Sequence, residues 1–165
     1  MISFNLPEVK PFMAKLLMNS TFDAFVLKEM ELQTFTGFQI TGQFNEAFFS
    51  AEEMAERGEH RQILWSEVKQ IAYSMIKGSR TPLSLKIIFQ LPKQQCDSLV
   101  DSLGGRIRTE DVGGLYLNVR FDKGNLKIVT GTAIKTFTLD KTLEQEWDNR
   151  MKGLLKEQNI VYEEE

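Results

Sequence analysis

The chain has very little of what most metal-binding and nucleophilic sites need. Among its 165 residues there is one cysteine, Cys96, and one histidine, His60. A single cysteine excludes an intramolecular disulfide and fits a reducing compartment, so we expect a cytoplasmic protein. A single histidine excludes a histidine pair or cluster as a metal site. We therefore predict no metal ligand, no cofactor and no catalytic residue of a familiar class.

Long apolar runs and an excess of positive charge are also missing. No segment approaches the roughly 18 consecutive apolar residues that span a bilayer, and the N-terminal residues do not resemble a secretion signal, so no membrane association is expected. The net charge of −3 provides no bulk attraction to nucleic acid. A composition that is 42% hydrophobic and 26% charged is typical of one globular domain, which we place over residues 1–165.

One phrase occurs twice. Residues 2–7 read Ile-Ser-Phe-Asn-Leu-Pro, and residues 87–92 read Ile-Ile-Phe-Gln-Leu-Pro. Apolar residues with the i, i+3, i+4, i+7 spacing of an amphipathic helix follow each phrase. They are Val9, Phe12, Met13 and Leu16 after the first, and Cys96, Leu99, Val100 and Leu103 after the second. We predict a strand followed by a helix in both places, with each proline just inside the helix start.

Strand-like sequence follows both predicted helices. In the second copy, residues 115–121 alternate apolar and polar side chains, residues 122–125 form a turn, and residues 126–130 form the return strand. A third strand is expected over residues 133–139. The first copy has counterparts at 24–32 and 38–41, with a bulge near Glu29 and a third strand beginning at Gly42.

The sequence therefore predicts an α+β fold made of two β-α-β-β-β repeats, with helices packed on mainly antiparallel sheets. Repeat one covers residues 1–45 and repeat two covers residues 82–140. Between them, residues 46–81 form a helical connector with a capping box at Ser50 and Glu53 and a second helix that closes at Lys77 and Gly78. Residues 141–165 form a C-terminal helix capped by Thr142 and Gln145, an apolar triplet at 160–162 that adds an edge strand, and a solvated acidic end.

This repeated unit resembles the building block of DNA sliding clamps. The resemblance is carried by residues 89–92, by Leu-Tyr-Leu-Asn-Val-Arg-Phe at 115–121 and by Leu-Lys-Ile-Val-Thr-Gly-Thr at 126–132. It implies a clamp-like fold, but the DNA-facing helices of clamps carry excess Lys and Arg. Here the first predicted helix carries a net +1 and the second a net −1. We therefore keep the fold and do not expect a ring around DNA.

The whole chain also resembles a family of uncharacterised proteins from clostridia-like Firmicutes. The residues that carry this resemblance are 21–23, 77–83, 110–118 and 162–165. The resemblance implies membership of a conserved bacterial family, and it implies no activity.

Four basic residues are the one local cluster that could hold a phosphate or an acidic partner: Lys77, Arg80, Arg106 and Arg108. The other candidates have simpler explanations. Cys96 falls on an apolar helical stripe and is expected in the core, and His60 is expected in an exposed loop. Trp65 and Trp147 also lie on apolar stripes, and adjacent carboxylates such as Glu52 and Glu53 point in different directions on a helix.

Three functions remain open. The first is a non-enzymatic binding or scaffold protein that takes a protein or peptide partner in an apolar groove between the two repeats. The second is a nucleic-acid-associated accessory protein that uses the four basic residues. The third is an enzyme with an unrecognised carboxylate-based site. The sequence does not predict the oligomeric state.

Overall fold

The computed structural model describes residues 1–76 and 80–165. Its strands are β1 (Ser3–Asn5), β2 (Val26–Gln33), β3 (Gly37–Ile40), β4 (Ser84–Gln90), β5 (Val112–Asp122), β6 (Asn125–Ile134) and β7 (Glu163–Glu164). Its α-helices are α1 (Val9–Leu17), α2 (Ala51–Arg57), α3 (Trp65–Ile76), α4 (Lys93–Asp101) and α5 (Thr142–Glu157). None of these helices has the length and apolar character needed to cross a membrane.

All seven described strands belong to one sheet in the order β3-β2-β4-β5-β6-β1-β7, and every neighbouring pair is antiparallel. In β4, Leu85, Ile87 and Phe89 are buried, whereas the residues between them are partly exposed. The buried face forms one hydrophobic core with the apolar sides of four helices, α1, α3, α4 and α5. The predictions of an α+β fold and of antiparallel pairing are confirmed.

The long hairpin of the second repeat forms as its alternation predicts. Leu115, Leu117, Val119 and Phe121 are at most 3% exposed. Lys123 and Gly124 both have positive φ, 51° and 81°, which is the geometry of the tight turn that matches the twist of two antiparallel strands.

The predicted third strands are wrong. β6 continues through Gly131 to Ile134, and residues 135–139 belong to no strand. Gly131 does not break the strand because it pairs with Tyr116 inside the continuous β5–β6 ladder. In the first repeat, residues 41–45 after β3 are not a strand either.

The two repeats share an element order, β-α-β-β, but their strands pair differently. β4 lies beside β2 and β5, so that α4 connects neighbouring strands. β1 lies beside β6 and β7, and three strands separate it from β2, to which α1 connects it. The two predicted repeats therefore agree in element order but differ in strand pairing. The prediction that each proline lies just inside a helix start is wrong by one or two residues. Pro7 precedes the N-cap residue of α1, and Pro92 is itself the N-cap residue of α4.

The helical connector begins as predicted. The Ser50 hydroxyl accepts a hydrogen bond from the Glu53 amide, and the Ser50 amide donates to the Glu53 carboxylate, at 3.1 and 3.0 Å. In α3, Trp65 is fully buried. The predicted closure of this helix at Lys77 and Gly78 lies outside the described residues.

The C-terminal segment differs from the prediction in its cap and in its strand. The N-cap residue of α5 is Lys141, whose side chain makes no capping hydrogen bond, so neither predicted residue caps the helix. The Asp140 carboxylate just before it accepts a hydrogen bond from the Thr142 amide at 2.8 Å. The predicted edge strand at residues 160–162 is wrong in position: those residues belong to no strand, and the edge strand is β7, which follows them and pairs with β1. Ile160 is buried, and Tyr162 packs edge-on against Phe4 at 5.0 Å between ring centres. The acidic end is also not simply solvated: Glu164 and Glu165 pair with Lys152 and Lys127 at 3.0 and 2.7 Å.

Arg57 joins the two connector helices. Its guanidinium donates to the Glu67 carboxylate at 2.7 Å and to the Gln62 carbonyl at 3.1 Å. The same group lies 5.0 Å from the ring centres of both Phe44 and Phe49, which stack on each other. One side chain therefore holds the start of α3 and the loop before α2 together.

Replacing Arg57 with alanine should lower the free energy of unfolding by about 1–2 kcal/mol at neutral pH, since charge-assisted hydrogen bonds and two cation–π contacts are lost. Arg57 holds the pKa of Glu67 below its usual value. The stabilisation from this pair is therefore present above the usual carboxyl pKa and is lost as pH falls through the lowered one. Urea denaturation at neutral pH and at about pH 3 should show a smaller difference in acid. Arg61→Ala, on an exposed connector residue, is the control and should change stability by less than about 0.5 kcal/mol.

Candidate functional site

The three described residues of the predicted basic cluster are distributed over different parts of the molecule. Arg80 precedes the first residue of β4, and β4 begins opposite the last residue of β5. Arg106 and Arg108 precede the first residue of β5. The antiparallel β4–β5 pair therefore places Arg80 toward one end of the sheet and the other two arginines toward the opposite end. Lys77 lies outside the described residues.

Arg106 and Arg108 also have carboxylate partners. Arg108 donates to Asp111 at 2.9 Å and lies 3.6 Å from Glu110, and Arg106 lies 3.8 Å from Asp140. These pairs hold the loop between α4 and β5, so that much of its positive charge is already balanced. The structure does not bring the three described arginines, Arg80, Arg106 and Arg108, together as one anion site.

The single cysteine, the single histidine and the two tryptophans lie in the environments that the sequence predicts. Cys96 is buried, and burial raises the pKa of its thiol, which disfavours the reactive thiolate. His60 is exposed, and the indoles of Trp65 and Trp147 are both fully buried. Within residues 1–76 and 80–165, no group of three or more His, Cys, Asp or Glu side chains is arranged to hold a metal ion.

Exposed apolar side chains identify a different candidate site. Phe35 is 90% exposed, Leu83 is 69% exposed and Ile71 is 58% exposed. Met18 and Tyr73 are exposed as well. All five line two adjoining grooves, which share the residues Ile76, Arg80, Thr81 and Pro82.

The first groove, here called the α1 groove, has a volume of about 640 Å³. It lies between α1 of the first repeat, the end of α3 and the β5–β6 turn of the second repeat. Phe121, which is almost fully buried, forms part of its wall. Its lining residues are Val9, Lys10, Met13, Ala14, Leu17, Met18, Tyr73, Ile76, Arg80, Thr81, Pro82, Phe121 and Gly124.

The second groove, here called the β3 groove, has a volume of about 790 Å³. It lies between the β2–β3 turn, the outer side of α3 and the residues that lead into β4. The Thr34 hydroxyl, which contributes to its wall, is shielded from solvent and has no hydrogen-bond partner among the described residues. Its lining residues are Thr34, Phe35, Phe38, Ile71, Ser74, Met75, Ile76, Arg80, Thr81, Pro82 and Leu83.

The described charged residues in the linings of the two grooves are all basic. Lys10 and Arg80 line the α1 groove, Arg80 lines the β3 groove, and no described carboxylate lines either one. Asp122 is close in sequence to the α1 groove but lines a separate cavity of about 250 Å³ between β2, β4 and β5. The grooves therefore combine apolar walls with positive charge, on a chain whose net charge is negative.

The separate cavity has carboxylates, but oppositely charged residues surround them. It is lined by Glu31 and Asp122 together with Lys86 and Arg120. The strand register places Glu31 opposite Lys86, and the Lys86 ammonium lies 3.7 Å from the Glu29 carboxylate on the same strand as Glu31, so opposite charges face each other across neighbouring strands. This arrangement is explained by the packing of the sheet alone.

Sequence reasoning expected an apolar groove between the repeats and named Arg80 as a possible partner-binding residue, but it named none of the five exposed apolar side chains that line the two grooves. One signal was available. Ile71 and Tyr73 lie off the apolar stripe of α3 that contains Trp65 and Ala72, and Phe35 stands alone in a turn between two threonines. All three of these apolar side chains lie outside a buried stripe, and all three are exposed in the structure.

The sequence matches the model of DUF5721, a family of unknown function, over residues 15–163. That range contains every described residue that lines the β3 groove, whereas four residues of the α1 groove lie outside it, namely Val9, Lys10, Met13 and Ala14. No curated protein and no solved structure matches the chain.

Proposed function

We propose that this chain, which belongs to DUF5721, a family of unknown function, is a binding module that takes a protein segment in the two adjoining grooves. The proposal comes from the geometry of the chain, since the family brings no function with it. The observation that carries the proposal is the set of five exposed apolar side chains around Arg80–Pro82. Contiguous apolar surface on a folded protein marks interaction sites, because leaving it in water costs free energy.

A peptide or protein segment suits this surface better than a small molecule does. Small-molecule sites are single concave pockets that bury most of one ligand. Here two grooves meet at the shared segment, and the exposed apolar side chains extend from Met18 on one side to Phe35 on the other. A chain that lies across both grooves would cover side chains that no single pocket contains.

The proposal includes a clamp-like fold and a cytoplasmic location. The clamp-like fold is supported by the β-α-β-β order that occurs twice and by the long hairpin of β5 and β6. Internal duplication would account for both features, although the strand pairings of the two repeats differ. The location is supported by the single buried thiol of Cys96.

The other two functions have less support. A nucleic-acid site needs clustered positive charge, whereas Arg80 lies away from Arg106 and Arg108, and both of those have acidic neighbours. A carboxylate-based enzyme needs converging acidic groups in a pocket, and the two large grooves have none among their described lining residues. We therefore propose neither.

The proposal is tested with peptides selected on the protein itself. A phage library of random 16-residue peptides is panned on the immobilised full chain, and the affinities of enriched peptides are measured by calorimetry. The double variant Tyr73→Ser, Leu83→Ser removes one exposed apolar side chain from each groove. It should bind those peptides at least about 10-fold more weakly, since each lost anchor costs on the order of 1 kcal/mol or more.

The matched control is Phe137→Ser. Phe137 is 91% exposed but lies beyond the other end of β6, away from both grooves. This variant should keep peptide affinity within about twofold, and all three substituted residues are exposed enough to leave the fold intact. If no peptide is enriched, or if Phe137→Ser weakens binding as much as the double variant does, the grooves are not the binding site.

A further inference from the structure

We infer that the α1 groove binds a short apolar segment flanked by Asp or Glu residues. This inference rests on the proposed binding function and adds the chemical class of the partner. Its basis is the arrangement of the two cationic side chains, Lys10 and Arg80, in the wall of an otherwise apolar groove.

The two cations belong to different walls of the groove. Lys10 lies in the first turns of α1, and Arg80 lies in the segment that runs from α3 toward β4. Apolar side chains, among them Met13 and Ile76, line the space that both walls enclose. A bound segment that fills the groove with apolar side chains would therefore bring its flanking residues close to positive charge on either side.

Neither cation has an acidic partner among the described residues. Arg57, Lys69 and Lys93, by contrast, each pair with a carboxylate at 2.8 Å or less. The overall charge is −3, yet no described carboxylate lines the α1 groove, so the positive charge of Lys10 and Arg80 is not balanced within it. Positive charge without a partner, beside apolar surface, is the complement of an acidic and apolar ligand.

The alternatives fit this groove less well. A basic segment would meet like charges at both walls, which disfavours the complex. A purely apolar segment would leave Lys10 and Arg80 partly desolvated with nothing to replace the water they lose. An acidic flank satisfies both cations and also speeds the encounter between the two molecules.

The test uses the peptides enriched from the random 16-residue library. They should contain two or more large apolar residues and more Asp and Glu than Lys and Arg. The double variant Lys10→Gln, Arg80→Gln should bind them about 5- to 20-fold more weakly than the unmodified chain. Its affinity should also depend less on salt between about 50 and 500 mM, because screening acts on the charges that were removed.

Lys135→Gln is the matched control, since Lys135 is exposed, has no acidic partner among the described residues and lies beyond the far end of β6. It should leave affinity unchanged. Peptides that bind through the grooves but carry neutral or basic flanks would overturn the inference and leave the proposed function standing. An unchanged affinity of the Lys10, Arg80 double variant would do the same. A failure to enrich any peptide would overturn both.

Discussion

Replacing Trp65 with alanine should lower the free energy of unfolding by about 4 kcal/mol, the upper range for removal of a buried aromatic side chain. Trp65 is fully buried at the start of α3. Its ring packs edge-on against Phe89 of β4 at 5.4 Å between centres, and its indole nitrogen donates to the Leu16 carbonyl of α1 at 2.8 Å. One side chain therefore connects two helices to the centre of the sheet.

Urea denaturation followed by circular dichroism measures this loss, and the midpoint of thermal unfolding should fall by about 8–16 °C for a chain of this size. Trp65→Phe is the control, because phenylalanine keeps one aromatic ring in the core and removes the indole N–H donor with the rest of the indole. It should cost about 1–2 kcal/mol, since the Leu16 carbonyl is then left without its donor. If alanine costs no more than phenylalanine does, the ring is not the centre of the core.

Replacing Gly42 with alanine should destabilise the fold by about 3 kcal/mol or more. Gly42 has a φ of +69°, which L-residues rarely adopt, and an added Cβ would lie only 2.1 Å from the Leu27 carbonyl oxygen. The Leu27 carbonyl carbon and the Lys28 oxygen would each lie 2.9 Å away. All of these atoms belong to the backbone of β2, which cannot move aside as a flexible side chain can.

Gly104→Ala separates the two causes of this effect. Gly104 has a nearly identical φ of +72°, but an added Cβ there would have no atom within 4 Å. It should cost only about 1–2 kcal/mol, the price of the left-handed backbone alone. Unfolding curves of the two variants, measured side by side, give the difference. Equal losses would mean that the chain after β3 does not approach β2 as closely as the structure has it.

The close approach at Gly42 occurs beside a bulge that the sequence predicts. The β2–β4 register shifts between Leu27 and Glu29, so that Lys28 is the extra residue. The apolar alternation of β2 slips at this point, and that irregularity can be read without a structure. The chain that packs over the bulge cannot be predicted in this way, because Gly42 is also compatible with an ordinary turn.

Features set by neighbouring residues were determined by the sequence alone. The capping box at Ser50, the turn at Lys123 and Gly124 and the buried alternation of β5 all follow from hydrogen bonds and burial within a few residues. The same holds for the buried stripe of α5, where Trp147 is fully buried. Local geometry permits few alternatives at such positions, so a pattern of residue types is sufficient.

Contacts between distant residues were decided only by the tertiary structure. The separation of Arg80 from Arg106 depends on the antiparallel pairing of β4 with β5, and the edge strand β7 depends on how Tyr162 packs against Phe4. The grooves depend on which apolar side chains remain uncovered once the sheet has been assembled, and Phe35 is one of these. Periodicity specifies that a side chain prefers burial, but only the assembled sheet and helices determine whether a neighbour covers it.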